Sequence, residues 1–182
     1  MARFRLASTE KNLLILTCEY YPYSTSWKNE KLMPDPFFKN NGEIDLLTGS
    51  ISPNLFNQIV RRDLQLSDRS NSRLSMISIN MDLSKFEPMH ISAESDKAIE
   101  QALIETFFKL KQVFRNSDCI CRISQLGFWV LVTGVNDAAC GELLIRVTSL
   151  LPDFFAVDIS HRINGQSQLD WYSRIDELHF KK

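Results

Sequence analysis

Arg115 and Asp118 are separated by two residues, so a single turn carries both a planar guanidinium and a carboxylate. A guanidinium presents paired donors that fit phosphate oxygens, and a carboxylate accepts from N–H groups, so these two types together have the chemistry to hold a small anion. As a bare pattern, Arg-x-x-Asp more often means a local ion pair worth less than about 1 kcal/mol. Other reactive types are scattered. Cys18, Cys119, Cys121 and Cys140 lack zinc-ribbon spacing, although Cys119 and Cys121 fall on one face of a strand; they read as small buried or half-buried residues without chemistry. His90, His161 and His179 have no spacing that builds a metal site or a triad, and each reads as a surface or capping residue.

The elements that must position Arg115 and Asp118 follow from periodicity. Ser52 and Pro53 open a helix with Leu55, Phe56, Ile59, Val60 and Leu64 at helical spacing. Leu74 to Met81 is a strand-like run. Ser92 and Ser95 are capping candidates for a second, amphipathic helix whose apolar side is Ile99, Leu103, Phe107, Phe108, Leu110 and Val113. Arg115 to Asp118 then reads as a four-residue turn that brings the two side chains together. Ile120 to Ile123 and Phe128 to Thr133 are two strands around a short turn, Asp137 to Leu151 a third helix, Phe155 to Ser160 a last strand, and Gln168 onward a last helix. This alternation predicts an α+β or α/β sandwich with one central sheet, and the hairpin excludes a purely parallel one. Leu74–Met81 and Phe128–Thr133 are apolar enough to be adjacent central strands.

Ahead of this lie the apolar run Leu13 to Thr17, the aromatic cluster Tyr20, Tyr21 and Tyr23, and turn chemistry from Pro34 and Pro36 through Asn41-Gly42. Residues 1–44 read as an extension and linker, and 45–182 as the main domain. With 182 residues the chain is long enough for one real core and too short for two large domains. A net charge of -1 argues against a broad basic face for nucleic acid, so any anion site must be compact. No run approaches the roughly 18 apolar residues that cross a bilayer, and no signal-peptide h-region is present. A cytoplasmic protein is expected.

Asp45-Leu46-Leu47-Thr48-Gly49, opening directly into a helix, resembles the Asp-x-Leu-Thr-Gly entry of GGDEF domains, the diguanylate cyclase fold, and Phe56 stands where that family has its Phe. Asn80-Met81-Asp82-Leu83-Ser84-Lys85 takes the place of the family's Asp-x-Asp followed by His-Phe-Lys. Pro88 and Met89 stand near the family's Asn-Asp pair, and Ser95-Asp96 resembles its Gly-Asp. Arg115-Asn116-Ser117-Asp118 matches the family's Arg-x-x-Asp. Five residues later Ser124-Gln125-Leu126-Gly127-Phe128 occupies the position of Gly-Gly-Asp-Glu-Phe. Arg174-Ile175-Asp176, with Phe180 and the lysines after it, resembles the family's last helix. The resemblance covers residues 45–182 and implies a mainly antiparallel sheet flanked by helices on a ferredoxin-like, nucleotidyl-cyclase-like core.

It also implies lost catalysis. Joining two GTP molecules needs metal ions held by hard carboxylate oxygens. Asn80 offers a neutral amide, Gly127 no side chain at all, and Leu126 no acid, while Ser124 and Gln125 replace the glycines that let the hairpin approach a nucleotide. Asp82 and Asp96 are then expected as solvated surface residues, and no enzyme activity, metal or cofactor is expected. In the family, Arg-x-x-Asp holds cyclic di-GMP as an inhibitory site. The resemblance therefore implies a degenerate GGDEF domain that binds cyclic di-GMP as a stacked pair through Arg115 and Asp118, with Arg146 as a third contact. Such a receptor signals to a protein partner. The alternative is a ligand-free scaffold for protein interaction or homodimerisation, with Tyr20, Tyr21 and Tyr23 as its docking surface.

Overall fold

A computed structural model describes the backbone of residues 2–8, 14–20, 35–86 and 95–180, and the side chains of 35–86 and 95–177. Tyr21, Tyr23, Pro34, Pro88, Met89, His90, Ser92 and the terminal lysines lie outside the described residues, as do the side chains of Cys18, Tyr20, His179 and Phe180. The chain divides into two compact units, Met1–Asp35 and Pro36–Lys182.

In the first unit β1 (Ala2–Ser8) pairs antiparallel with β2 (Leu14–Tyr20), Phe4 opposite Cys18 and Leu6 opposite Leu16. The extension thus contains a hairpin. Its signal in the sequence is the period-two alternation of Arg3, Arg5 with Phe4, Leu6. The second unit takes in residues 36–44 as well as 45–182. The turn chemistry there is real, with Asn41 Oδ1 accepting from the N–H groups of Glu43 and Ile44.

Helix α1 (Pro53–Ser70) begins at the N-cap Ser52, whose hydroxyl accepts from Leu55 N–H, and ends on Asn71 in the left-handed region at φ 52°. Strand β3 (Leu74–Met81) follows, then a single turn, α2 (Leu83–Phe86), and α3 (Ser95–Val113). The hairpin is β4 (Cys119–Ser124) and β5 (Gly127–Thr133). After it come α4 (Asp137–Leu150), β6 (Phe155–His161) and α5 (Gln168–Phe180). The sheet order is β4-β5-β3-β6 with every neighbouring pair antiparallel. Each helical crossover therefore skips one strand, the split βαβ arrangement of a ferredoxin-like core.

Both faces of the sheet are covered. Ile77, Ile79 and Met81 of β3 and Phe128, Val130 and Val132 of β5 pack with Leu103 and Leu110 of α3 and Val147 of α4. On the other side Trp129 meets Tyr172 of α5 edge to face at 4.8 Å, and the buried Trp171 donates from Nε1 to Ser160 Oγ. Double coverage explains why β3 alternates so little between apolar and polar. Each large side chain buried there contributes about 1.5–3 kcal/mol.

One carboxylate opposes this packing. Asp176, beside the fully buried Ile175 on α5, is partly buried, and burial alone pushes its carboxyl up from 3.8 to about 7. The folded chain then keeps a proton that the unfolded chain releases near pH 4, so this group's contribution to stability falls as pH rises from about 4 through about 7. Asp176→Asn should flatten that fall. In urea unfolding at about pH 8 the variant should exceed the parent by on the order of 2–4 kcal/mol, with the gap closing near pH 4.

Candidate functional site

Phe114 continues the helical path of α3 by donating to Leu110 O at 3.0 Å, and the chain then turns into β4. The turn is closed twice. Asp118 N–H donates to Arg115 O at 2.9 Å, and Asp118 Oδ2 accepts from Arg115 N–H at 2.9 Å. The carboxylate thus serves the backbone of Arg115 rather than its side chain, so the local ion pair that the bare pattern suggests does not form. The guanidinium is exposed and pairs with no carboxylate among the described residues. Half-burial raises the Asp118 carboxyl above its ordinary value, while the Arg115 N–H and charge act against that rise.

A cleft of about 180 Å³ opens beside this turn, its walls including Gly49, Ser50, Phe107, Lys111, Arg115 and Asp118. Gly49 reaches it in the left-handed region at φ 76°, which a Cβ would strain. Arg146 does not join them. It is exposed on α4, one residue before the buried Val147, and is not part of the cleft wall.

The strap that carries Gly49 is held by a residue that sequence reasoning missed. Arg122 lies on β4 with its side chain fully buried, donating from Nη1 to Phe37 O at 2.6 Å and to Asp45 Oδ1 at 3.4 Å, and from Nη2 to Gln125 O at 2.7 Å. Its guanidinium also lies 5.0 Å from the centre of the Phe38 ring. Asp45 uses its other oxygen to accept from Thr48 N–H and Oγ1, which shapes the Asp-Leu-Leu-Thr-Gly turn. Ile51 then bridges to Cys121 on the edge of β4. The available signal was a single arginine inside the apolar run Ile120–Ile123, since a buried cation requires acceptors from elsewhere in the fold.

At the other end of the sheet, the hairpin tip is packed rather than open. Gly127 pairs with Asn80, and a Cβ on Gly127 would lie 2.2 Å from Asn80 Oδ1 and 3.2 Å from Ile79 O. The amide of Asn80 occupies the space that a longer side chain at 127 would need. Leu126 O accepts from Met81 N–H at 2.9 Å. Asp82, expected as a solvated surface residue, is partly buried: its Oδ1 accepts from Ser84 N–H and Oγ and caps α2. Asp96 is likewise partly buried, in the first turn of α3. Burial raises the thiols of Cys119 and Cys121, in keeping with inert residues. His161 Nδ1 sits 2.9 Å from Ser75 Oγ.

Four antiparallel strands in this order, with helices on both faces, define an α+β domain of the ferredoxin-like kind. Its closer likeness is to GGDEF domains. A sensory box/GGDEF family protein from Caulobacter crescentus superposes with a TM-score of 0.65 at 19% identity, over 76% of this chain and 96% of its own. The GGDEF domain of DgcB from Caulobacter crescentus, solved in complex with cyclic di-GMP, gives 0.62 at 13%, over 78% and 90%. The diguanylate cyclase SiaD from Pseudomonas aeruginosa, solved with its activator SiaC, gives 0.65 at 18%, over 74% of this chain and 55% of SiaD. No family model and no curated protein matches the sequence. The chain has a GGDEF-like fold. No helix among the described residues is long and apolar enough to cross a membrane.

Proposed function

We propose that this chain is a GGDEF-like domain without cyclase activity that serves as a receptor for cyclic di-GMP and passes its occupancy to a protein partner. The observation that carries this reading is the turn at Arg115–Asp118, where the backbone engages the carboxylate and the exposed Arg115 lines a cleft. An exposed guanidinium offers donors to phosphate and to guanine O6 and N7, and a half-buried carboxylate can accept from guanine's N–H groups. Three of the structural neighbours, two of DgcB and one other microbial GGDEF domain, were solved with or described as interacting with cyclic di-GMP. The packed hairpin supports the inactive half of the proposal, because Asn80 fills the space against Gly127 and Asp82 caps α2.

Two assays test these halves. Calorimetric titration with cyclic di-GMP should show saturable heat. Incubation with GTP and magnesium or manganese should yield no cyclic di-GMP above blank by chromatography, since loss of even one electrostatic participant costs about 10²–10³ in rate. Product above blank would overturn the inactive half alone. A scaffold reading draws on one observation: Phe108 on α3 and Ile145 on α4 are 57% and 70% exposed. It predicts no response to the nucleotide.

A further inference from the structure

The cleft beside Arg115 holds a second cation, and it is not Arg146. Lys111 lies in the last turn of α3, and Arg115 follows two residues after that helix ends at Val113; both line the same cleft. Its ammonium lies 5.9 Å from the centre of the Phe107 ring, which also lines the cleft. Lys111 is exposed and pairs with no carboxylate among the described residues. Among the described residues Asp118 is the one acidic group on the cleft wall, set against the two cations Lys111 and Arg115.

The position of Lys111 matters for an anionic ligand. The cleft opens at the C-terminal end of α3, where unpaired carbonyls carry partial negative charge that repels phosphate. An ammonium in that last turn offsets the repulsion. At about 180 Å³ the cleft is also smaller than the pockets of roughly 300–1,000 Å³ that enclose whole small molecules. It has room for part of a dinucleotide.

We infer that Lys111, in place of Arg146, is the second phosphate-binding cation of the site, and that the cleft seats one base-and-phosphate portion of cyclic di-GMP. Lys111 and Arg115 face the phosphate while Asp118 reads the base edge. This inference rests on the receptor reading. The test is calorimetric titration of the full chain with cyclic di-GMP for the parent, Lys111→Gln and Arg146→Gln, each at two salt concentrations. Lys111→Gln should bind about tenfold more weakly and lose part of the salt dependence, whereas Arg146→Gln should stay within about twofold of the parent. Thermal melting should be the same for all three, since both side chains are exposed. Binding by the parent with Lys111→Gln unchanged, or with Arg146→Gln the more damaged, overturns the inference and leaves the receptor reading standing. No binding by the parent overturns both.

Discussion

Arg115→Ala should weaken cyclic di-GMP binding about 10- to 150-fold while the melting temperature stays where it was. The range follows from charge-assisted hydrogen bonds worth roughly 1.5–3 kcal/mol. The unchanged stability follows from the turn, because both bonds that close it use the backbone of Arg115, which alanine retains. Asp118→Ala is the informative contrast. It removes the acceptor for Arg115 N–H as well as the proposed reader of guanine, so it should lower stability slightly and reduce discrimination against cyclic di-AMP. Adenine lacks the donors that a carboxylate recognises on guanine. Calorimetry with both nucleotides, alongside melting curves, separates the two effects; an Arg115→Ala chain that binds like the parent would remove the turn from the site.

The largest loss of stability is expected from Arg122→Met, about 3–5 kcal/mol by urea unfolding. The substitution leaves Asp45 buried without its counter-charge and strips donors from the carbonyls of Phe37 and Gln125. Arg122→Lys should recover little of this, because a point-charge ammonium cannot serve three acceptors spread over a planar fork. The damage should concentrate in residues 36–52. Hydrogen exchange should accelerate at Asp45, Gly49 and Ile51, whose amides bond within the strap or to β4, well before it does in β3. A loss below about 1 kcal/mol would mean that the strap is held by its apolar contacts instead.

Much of the fold was legible because its signals are local. Ser52-Pro53 and the spacing of Phe56, Val60 and Leu64 fix α1, and the apolar runs Leu74–Met81 and Phe128–Thr133 mark the paired central strands. The Arg115–Asp118 turn was legible for the same reason, since two residues three apart in one tight turn are neighbours whatever the rest of the chain does. What was hidden depends on distance in sequence. Arg122 finds Asp45 seventy-seven residues away, and no periodicity announces such a pair. Lys111 carries no signal of its own in the sequence, because its place beside Arg115 and Asp118 comes from the cleft that the fold builds. The short helix α2 and its cap on Asp82 were missed because four residues carry no period to read.

The receptor account is tested most directly by titrating the purified full chain with cyclic di-GMP in a calorimeter, with Arg115→Ala as the paired control. Saturable heat from the parent, weakened about 10-fold or more in Arg115→Ala, is the predicted result. A parent chain that gives no heat at high-micromolar nucleotide, or a variant that binds equally well, would contradict it.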